Sequence, residues 1–285
     1  MASIRMAAAA AHFGRDIQRT LAKLPGLIEQ AREREIQLLV LPDATLGGYL
    51  LDMNHPESSP PPSVELDGPE VAAIIEMAGD MVVAFGLTER VVEDGIENRY
   101  NSAVCVAEGQ IIGVHRKVHL PLGEANTYRA GHDFVPFDTP VGRLGMLIDF
   151  DKTFPESART LALDGATILA CLSAWPASVT DRSDRMRNDR QAHLFDLYDC
   201  ARAAENQVFL VSSNQTGVLG GLRFLGQAKV VDPAGEIVSK TWAKGGLAVA
   251  DADVSAVVTR ARRSLFHLQQ RTPGAYRLDQ AGAHA

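Results

Sequence analysis

Few residues in this chain have the type and spacing to do chemistry on their own. Three cysteines, Cys105, Cys171 and Cys200, are widely separated and form no CxxC pair, which gives no basis for a disulfide framework or a zinc site. Cys105 and Cys171 fall in apolar runs that read as strands and Cys200 in a helical stretch, so core packing is the ordinary account of the thiols. His115 and His119 stand four apart in HRKVH, a spacing that binds zinc on a helix. Val114 and Val118 suggest an extended segment instead, in which the rings sit about 13 Å apart and cannot share an ion. Asp149 and Asp151 are two apart, face one side if their segment is a strand, and could there hold a divalent cation. Arg182, Arg185 and Arg187 precede or open a long helical stretch and could meet a substrate carboxylate, although a solvated helix face accounts for them more simply. There is no GxGxxG after a strand, no Walker lysine loop and no GxSxG elbow, so the common nucleotide-binding and serine-hydrolase signatures are absent.

The elements that must position these residues are read from apolar periodicity. Runs rich in Val, Ile and Leu at 38–41, 81–87, 102–106, 144–148, 168–172, 208–212, 228–231 and 247–250 read as mostly buried strands. Helical patterns occupy 16–34, 70–79, 155–163, 184–205 and a shorter stretch near 255–262, with Pro25-Gly26 expected to kink or split the first. Glu93-Asp94-Gly95 and Glu108-Gly109-Gln110 read as hairpin turns. Strands alternate with helices in some places and pair directly in others, which implies an α/β architecture with a mixed sheet. The Pro-rich stretch 58–63 reads as a surface loop and no linker divides the chain.

The 285 residues include 35 acidic and 28 basic side chains, a formal charge of -7 that argues against a nucleic-acid or anionic-membrane surface. With 46% apolar and 22% charged residues the chain is expected to be an ordered globule, and no apolar run approaches the roughly 20 residues of a membrane span. The alanine run 7–11 is too short and weakly apolar for a secretory core and His12 follows it directly, so the expected location is the cytoplasm. Asn214-Gln215-Thr216 matches a glycosylation sequon that would be idle there.

Four segments carry together a pattern that none carries alone: LLVLPDATLGGYL (38–50), HRKVHLPLGEANTYRAG (115–131), GRLGMLIDFDKTFPESARTLALDGATILACLSAW (142–175) and RAAENQVFLVSSNQTG (202–217). In order, spacing and flanking residues, and with the VVDPAGE strand-turn at 230–236, they resemble the nitrilase superfamily, the carbon-nitrogen hydrolases. The resemblance implies one carbon-nitrogen hydrolase-like domain over 1–285, an α/β fold of αββα sandwich type with mixed sheets, and no cofactor. It also implies a homodimer or larger assembly, with the tail 264–285, which includes RTPGAY at 271–276, and the long helix contributing to the contact. The family pocket holds a Glu base, a Lys, a second Glu and a nucleophilic Cys. Carried over by position, the Lys is Lys117 and the second Glu is Glu124, whereas Pro42-Asp43 stands where the family has Pro-Glu, and Ile148-Asp149-Phe150-Asp151 where it has Ile-Cys-Tyr-Asp. Tyr49, Phe150, Ser173 and Trp175 are the expected substrate-binding walls. The family commonly has an acidic residue at the Asp151 position without using a metal, so no metal is expected here.

A missing thiol changes the credible chemistry. Attack by Asp149 on an amide would give a tetrahedral species that expels the carboxylate, with its pKa of about 4, more readily than an amine, so acylation at Asp149 is disfavoured. Three carboxylates beside one ammonium sum to a charge of -2 when all are ionised, which should raise at least one carboxyl pKa and couple the titrations. That is a setting for a general acid beside a general base, with Lys117 polarising a carbonyl or imine. Asp43 is one methylene shorter than Glu and Asp149 bulkier than Cys, so the two changes partly compensate in volume.

The favoured sequence reading is therefore a diverged enzyme acting on a small-molecule substrate (amide, nitrile, imine or a related carbon–nitrogen group) through Asp43, Lys117, Glu124 and Asp149. Hydrolysis, cyclisation, dehydration and elimination all remain open. The alternative is a pseudoenzyme that binds a small molecule or protein partner, against which stands the retention of a charged lysine in a costly site. A thiol-dependent amidase using another cysteine is the least supported.

Overall fold

The computed structural model describes residues 3–278, so the last part of the expected tail, beyond residue 278, lies outside the described residues. Seven strands form one sheet: β1 (Ile4–Ala11), β2 (Leu38–Val40), β3 (Val82–Glu93), β4 (Ile96–Ala107), β5 (Gln110–Arg116), β10 (Asn214–Gln215) and β15 (Gly246–Ala252), in the order β10-β1-β2-β3-β4-β5 with β15 beside β1. Six form a second, ordered β14-β13-β9-β8-β7-β6: β6 (Phe137–Thr139), β7 (Gly142–Ile148), β8 (Ile168–Leu172), β9 (Phe209–Ser212), β13 (Lys229–Val231) and β14 (Ile237–Lys240). A small hairpin of β11 (Val218–Leu219) and β12 (Leu222–Arg223) stands apart. Both sheets mix parallel with antiparallel pairs, as in the β2–β3 and β3–β4 contacts.

Alternation along the strands builds the layers. Leu38, Val40, Val82, Ala84, Ala103 and Cys105 of the first sheet share a core with Leu144, Met146, Ile148, Ile168, Ala170 and Val211 of the second. The intervening residues of the first sheet, such as Leu39, Val83, Phe85 and Val104, pack on α1 (Ile17–Glu33) and α2 (Pro69–Ala78). Leu147, Leu169, Cys171 and Leu210 of the second sheet pack instead on α3 (Pro155–Leu163) and α4 (Arg190–Asn206). Period-2 alternation with both faces buried is what two packed sheets covered by helices require. The result is an αββα sandwich, and α5 (Val254–Ser264) seats Val254 and Val258 at the rim of the inter-sheet core.

Several local expectations need correction. The alanine run 7–11 is a strand inside β1, with Ala7, Ala9 and Ala11 toward the helices and Ala8 and Ala10 toward the second sheet. Alanine is depleted in strands, so the apolar pattern leaves β1 out; here the small side chain fits a position enclosed on both faces. α1 runs unbroken through Pro25, which lies on the exposed face beside Gly26. α4 starts at Arg190 rather than near 184, because Asp189 caps it by accepting the Gln191 N–H. Arg182, Arg185 and Arg187 therefore precede the helix, in a loop and the 3₁₀ turn Met186–Asn188, and do not form a helix face. Both hairpins turn through left-handed residues at Asp94-Gly95 and Glu108-Gly109, the backbone that a two-residue connection favours. The sequon Asn214 is buried and tied to Trp175. Among the described residues, no helix is long and apolar enough to cross a membrane.

Because Ala8 is fully buried in the inter-sheet core, Ala8→Leu should destabilise the protein by about 1–3 kcal/mol through overpacking. Urea unfolding checks this, with a lower midpoint at unchanged slope as the expected result.

Candidate active site

Strand ends bring the charged residues together. β2, β3 and β5 run the same way in the first sheet and β7, β8 and β9 in the second, and ligand sites form beyond the carboxyl ends of such strands. Asp43 lies just past β2, Lys117 follows β5 directly, Glu124 sits in the 3₁₀ turn Leu122–Asn126, and Asp149 follows β7 and opens the 3₁₀ turn Asp149–Thr153. Asp149 has φ 47, a left-handed conformation that Asp tolerates better than most residues and that turns the chain sharply from strand to helix. Strain of this kind costs about 1–3 kcal/mol and gathers at functional turns. Ala44, next to Asp43, is also left-handed at φ 56. Gly86 of β3 makes room for this bend, since a Cβ there would lie 2.6 Å from the Ala44 nitrogen and 2.7 Å from the Asp43 Cα.

Two of the acids, Glu124 and Asp149, meet at the Lys117 ammonium, and Asp43 is joined to them through Asn101. Lys117 Nζ donates to Glu124 Oε1 at 2.9 Å and lies 3.6 Å from Asp149 Oδ2. The Tyr49 hydroxyl donates a short hydrogen bond to the same Glu124 oxygen. Asn101 joins two members, donating from Nδ2 to Asp43 Oδ2 at 3.1 Å while its carbonyl accepts the Lys117 N–H at 2.8 Å. Gln215 Nε2 holds the Asp43 carbonyl at 2.9 Å. Lys117 and Glu124 are fully buried and Asp149 keeps 8% of its side chain exposed. Asp43 Oδ1, Glu124 Oε2 and Asp149 Oδ1 are buried without a hydrogen-bond partner among the described residues.

Burial is the main force on these titrations. It pushes the Asp43 carboxyl up to about 7, against Lys117 and Asn101, which favour the ionised form, and with Asp149 and Glu124, which oppose it. Glu124 and Asp149 are raised for the same first reason and restrained chiefly by Lys117, with Lys152 next for Asp149. Burial alone would lower Lys117, but the charges of Glu124, Asp149 and Asp43 hold it above the ordinary lysine value. The site is thus one cation among carboxylates of unequal proton affinity, which can accept and return a proton near neutral pH.

Asp149 and Asp151 do not share a strand face, because the chain enters the 3₁₀ turn at Asp149. Asp151 points away into a separate cluster, with Oδ2 2.9 Å from His115 Nε2 and Oδ1 2.9 Å from His119 Nδ1. Two histidines on one carboxylate correct the 13 Å separation expected for an extended segment: β5 ends at Arg116 and the chain bends before His119. Asp151 also accepts the Ile148 and His119 N–H groups, and although burial would raise its pKa, the histidine hydrogen bonds hold it well below the usual carboxylate range. It locks the turn that carries Asp149 to the segment that carries Lys117. Among the described residues no His, Cys, Asp and Glu group has metal-binding geometry.

The expected walls divide. Tyr49 touches the tetrad through Glu124 and stacks edge-on with Phe224 at 6.2 Å. Phe150 is half-buried and meets Phe154 edge-on at 5.3 Å. Ser173 is buried 3.7 Å from Cys171 Sγ. Trp175 packs on Phe195 and Tyr198, and its indole N–H donates to Gln191 Oε1 at 3.0 Å. Cys105 lies between the sheets and Cys171 beneath α3 and α4, and burial pushes both thiols up to about 12, far from a thiolate at neutral pH. Cys200, on α4, is half-buried.

Sequence reasoning passed over Asn101, Tyr128 and a second buried charge cluster. Asn101 is an uncharged polar residue inside an apolar strand, a signal that was available in NRYNSAVCV. Tyr128 is buried with its hydroxyl 3.3 Å from that of Thr88. Behind the Asp149 turn, Lys152 and Lys229 each donate to one oxygen of Asp199 at 2.7 Å, with their ammonium groups 3.4 and 3.5 Å from the Phe195 ring centroid. Nothing in local sequence joins residues so far apart.

Comparison with known proteins gives a consistent result. The carbon-nitrogen hydrolase family model matches residues 2–263. A probable nitrilase of Schizosaccharomyces pombe is 29% identical over 78% of this chain and 78% of its own length. A nitrilase of Pyrococcus abyssi is 30% identical over 76% of this chain and 77% of its own. The crystal structure of a carbon-nitrogen hydrolase from Helicobacter pylori superposes with a TM-score of 0.83 at 26% identity, covering 96% of this chain and 97% of that one.

The raised Asp43 pKa fixes a sign for stability. Between about pH 4 and pH 7 the folded protein holds a proton that the unfolded chain has lost, so the Asp43 contribution is present below the unfolded pKa and falls as pH rises to about 7. Asp43→Asn should remove this decline and gain on the order of 2–4 kcal/mol over wild type above pH 7 relative to pH 4. Urea unfolding of both proteins across that range is the check.

Proposed function

The chain belongs to the carbon-nitrogen hydrolase family, and we propose that it hydrolyses a carbon–nitrogen bond of a small polar substrate by carboxylate acid–base chemistry, without a cysteine acyl-enzyme. In this reading Asp43 is the general base. It takes a proton from water as the water oxygen bonds to the substrate carbon, and it returns that proton to the leaving nitrogen as the carbon–nitrogen bond breaks. Lys117 stabilises the charge that develops on the substrate oxygen or nitrogen, Glu124 holds Lys117, and Asp149 stands in the place of the nucleophile and orients water and substrate. One arrangement carries the reading: a fully buried Asp43, poised at about 7, in the electrostatic field of the Lys117 ammonium that bridges Glu124 and Asp149. A base matched to neutral pH is what water activation needs. The buried, undissociated thiols of Cys105 and Cys171 favour this over a cysteine mechanism.

We further propose a cytoplasmic homodimer. Leu197 of α4, together with Leu265, Phe266 and Tyr276 of the tail, exposes apolar surface that a second copy would cover. Light scattering at micromolar concentration should give a dimer mass, and a monomer mass would contradict the proposal.

Turnover on a panel of small amides, nitriles and amidines tests the chemistry. Asp43→Asn and Asp149→Asn should each lower kcat by roughly 10²–10⁴-fold, whereas iodoacetamide should leave the wild type active. Full activity in Asp149→Asn, loss on alkylation, or ligand binding without any turnover would overturn the hydrolytic reading, and the last would favour a binding protein.

A further inference from the structure

The site has more acceptors than donors. Asp43, Glu124 and Asp149 face one ammonium, and that ammonium is already engaged by Glu124 at 2.9 Å and Asp149 at 3.6 Å. Three carboxylate oxygens, one on each acid, are buried with no donor among the described residues. Neighbouring donors are spent: Asn101 on the other oxygen of Asp43, and Tyr49 on the oxygen of Glu124 that Lys117 also uses. The other buried cations are closed on their own partners, with Lys152 and Lys229 sharing Asp199, and Lys229 also 3.2 Å from Asp196. Asp151 is closed by His115 and His119. When all three acids are ionised the tetrad carries two net negative charges, which Lys152, the next cation acting on Asp149, offsets only from its own pairing with Asp199.

We propose that this site takes a planar cation rich in N–H donors, an amidinium or guanidinium group, as its preferred substrate head. The inference rests on the hydrolase reading above and narrows its substrate. A nitrile brings no donor, and a primary amide brings two N–H groups together with a carbonyl that adds another acceptor. An amidinium brings four N–H groups, a positive charge and no acceptor, and its flat edge matches a carboxylate through two parallel hydrogen bonds. Asp149 keeps 8% of its side chain exposed whereas Asp43 and Glu124 are fully buried, so Asp149 is the acid that an entering cation would meet first.

Protons are the competing occupants of the same oxygens. The titratable groups whose charges act on or are felt from Asp149 are Lys117, Lys152, Asp151, Asp43, Glu124, Tyr49 and Cys171, and for Asp43 they are Lys117, Asp149, Glu124, Tyr49 and Tyr128, with Asn101 donating to it. Raised carboxyl pKa values mean that at acid pH the surplus charge is met by bound protons, which a cation must displace. Affinity for a cation should therefore rise with pH, and binding should release protons.

Titration calorimetry of the full-length protein with acetamidinium, methylguanidinium and acetamide, between about pH 5.5 and about pH 8.5, tests this. At the upper pH acetamidinium should bind at least tenfold tighter than acetamide. Its affinity should fall about tenfold toward the lower pH, and proton release should appear as a buffer-dependent heat. Asp149→Asn should weaken acetamidinium about tenfold and acetamide less than twofold. If that variant fails to fold, Asp43→Asn provides the same comparison. Equal or tighter binding of acetamide, or a pH-independent cation affinity, overturns the proposal. Amide turnover without cation preference would leave the hydrolase standing and refute this inference, whereas cation binding without turnover of any probe would refute the hydrolase and the substrate assignment with it, leaving a cation-binding site.

Discussion

One buried ammonium sets the terms for the rest of the site. Lys117 is removed from water altogether, and a charge so placed persists only when opposite charge and hydrogen bonds surround it. Glu124 and Asp149 supply that surrounding directly, and Asp43, held by Asn101, adds its charge at longer range. The carboxylates are in turn costly to bury, and Lys117 is the main opposing influence on each of their titrations. Neither the lysine nor the acids would be tolerable there alone. A group of that kind fixes its own geometry, because loss of one member leaves the others unpaired.

Bringing four residues from three distant segments to one point constrains the scaffold. Two sheets must meet closely enough for Asp43 on one and Asp149 on the other to share a cation, and small residues make the approach possible. Ala8, Ala10, Ala84 and Ala103 line the first sheet's inner face. Gly86 admits the bend at Asp43-Ala44, and Gly145 lets Leu161 of α3 close on β7, where a Cβ would come within 2.9 Å of its methyl groups. The left-handed backbone at Asp149 then lifts its carboxylate out of the strand end. Asp151, two residues on, accepts hydrogen bonds from the segment after β5 and so ties Asp149 to Lys117 through backbone as well as charge.

The layered fold was legible because branched apolar runs and helical periodicities are local signals, and the family pattern supplied their arrangement. All eight expected runs lie on strands or at their ends. The alanine strand was not legible, since its residues favour helix and only enclosure on both faces makes them suitable. The boundary of α4 was misplaced because a helical composition extended past the capping Asp189. At the site, the four charged positions were read from motif resemblance, and their distances could be known only from the folded chain. The His115–Asp151–His119 cluster and the Lys152–Asp199–Lys229 cluster join residues about 30 to 80 positions apart, and no periodicity records such contacts.

The place of β1 also bears on how this protein is made. Its outer side pairs with β15, a register fastened at the end by Arg5 on Asp251, 246 positions away. On the ribosome, β1 and β2 emerge well before that partner, which follows 246 positions later at the Arg5–Asp251 pair. Until β15 emerges, the nascent sheet therefore carries an open edge at its first strand. Exposed edges invite pairing with other chains, and the hazard is greatest for segments of high β-propensity. An alanine strand is a poor template for such pairing, so the composition that hides β1 from a reader of the sequence also protects it during the interval before its own C-terminal partner arrives.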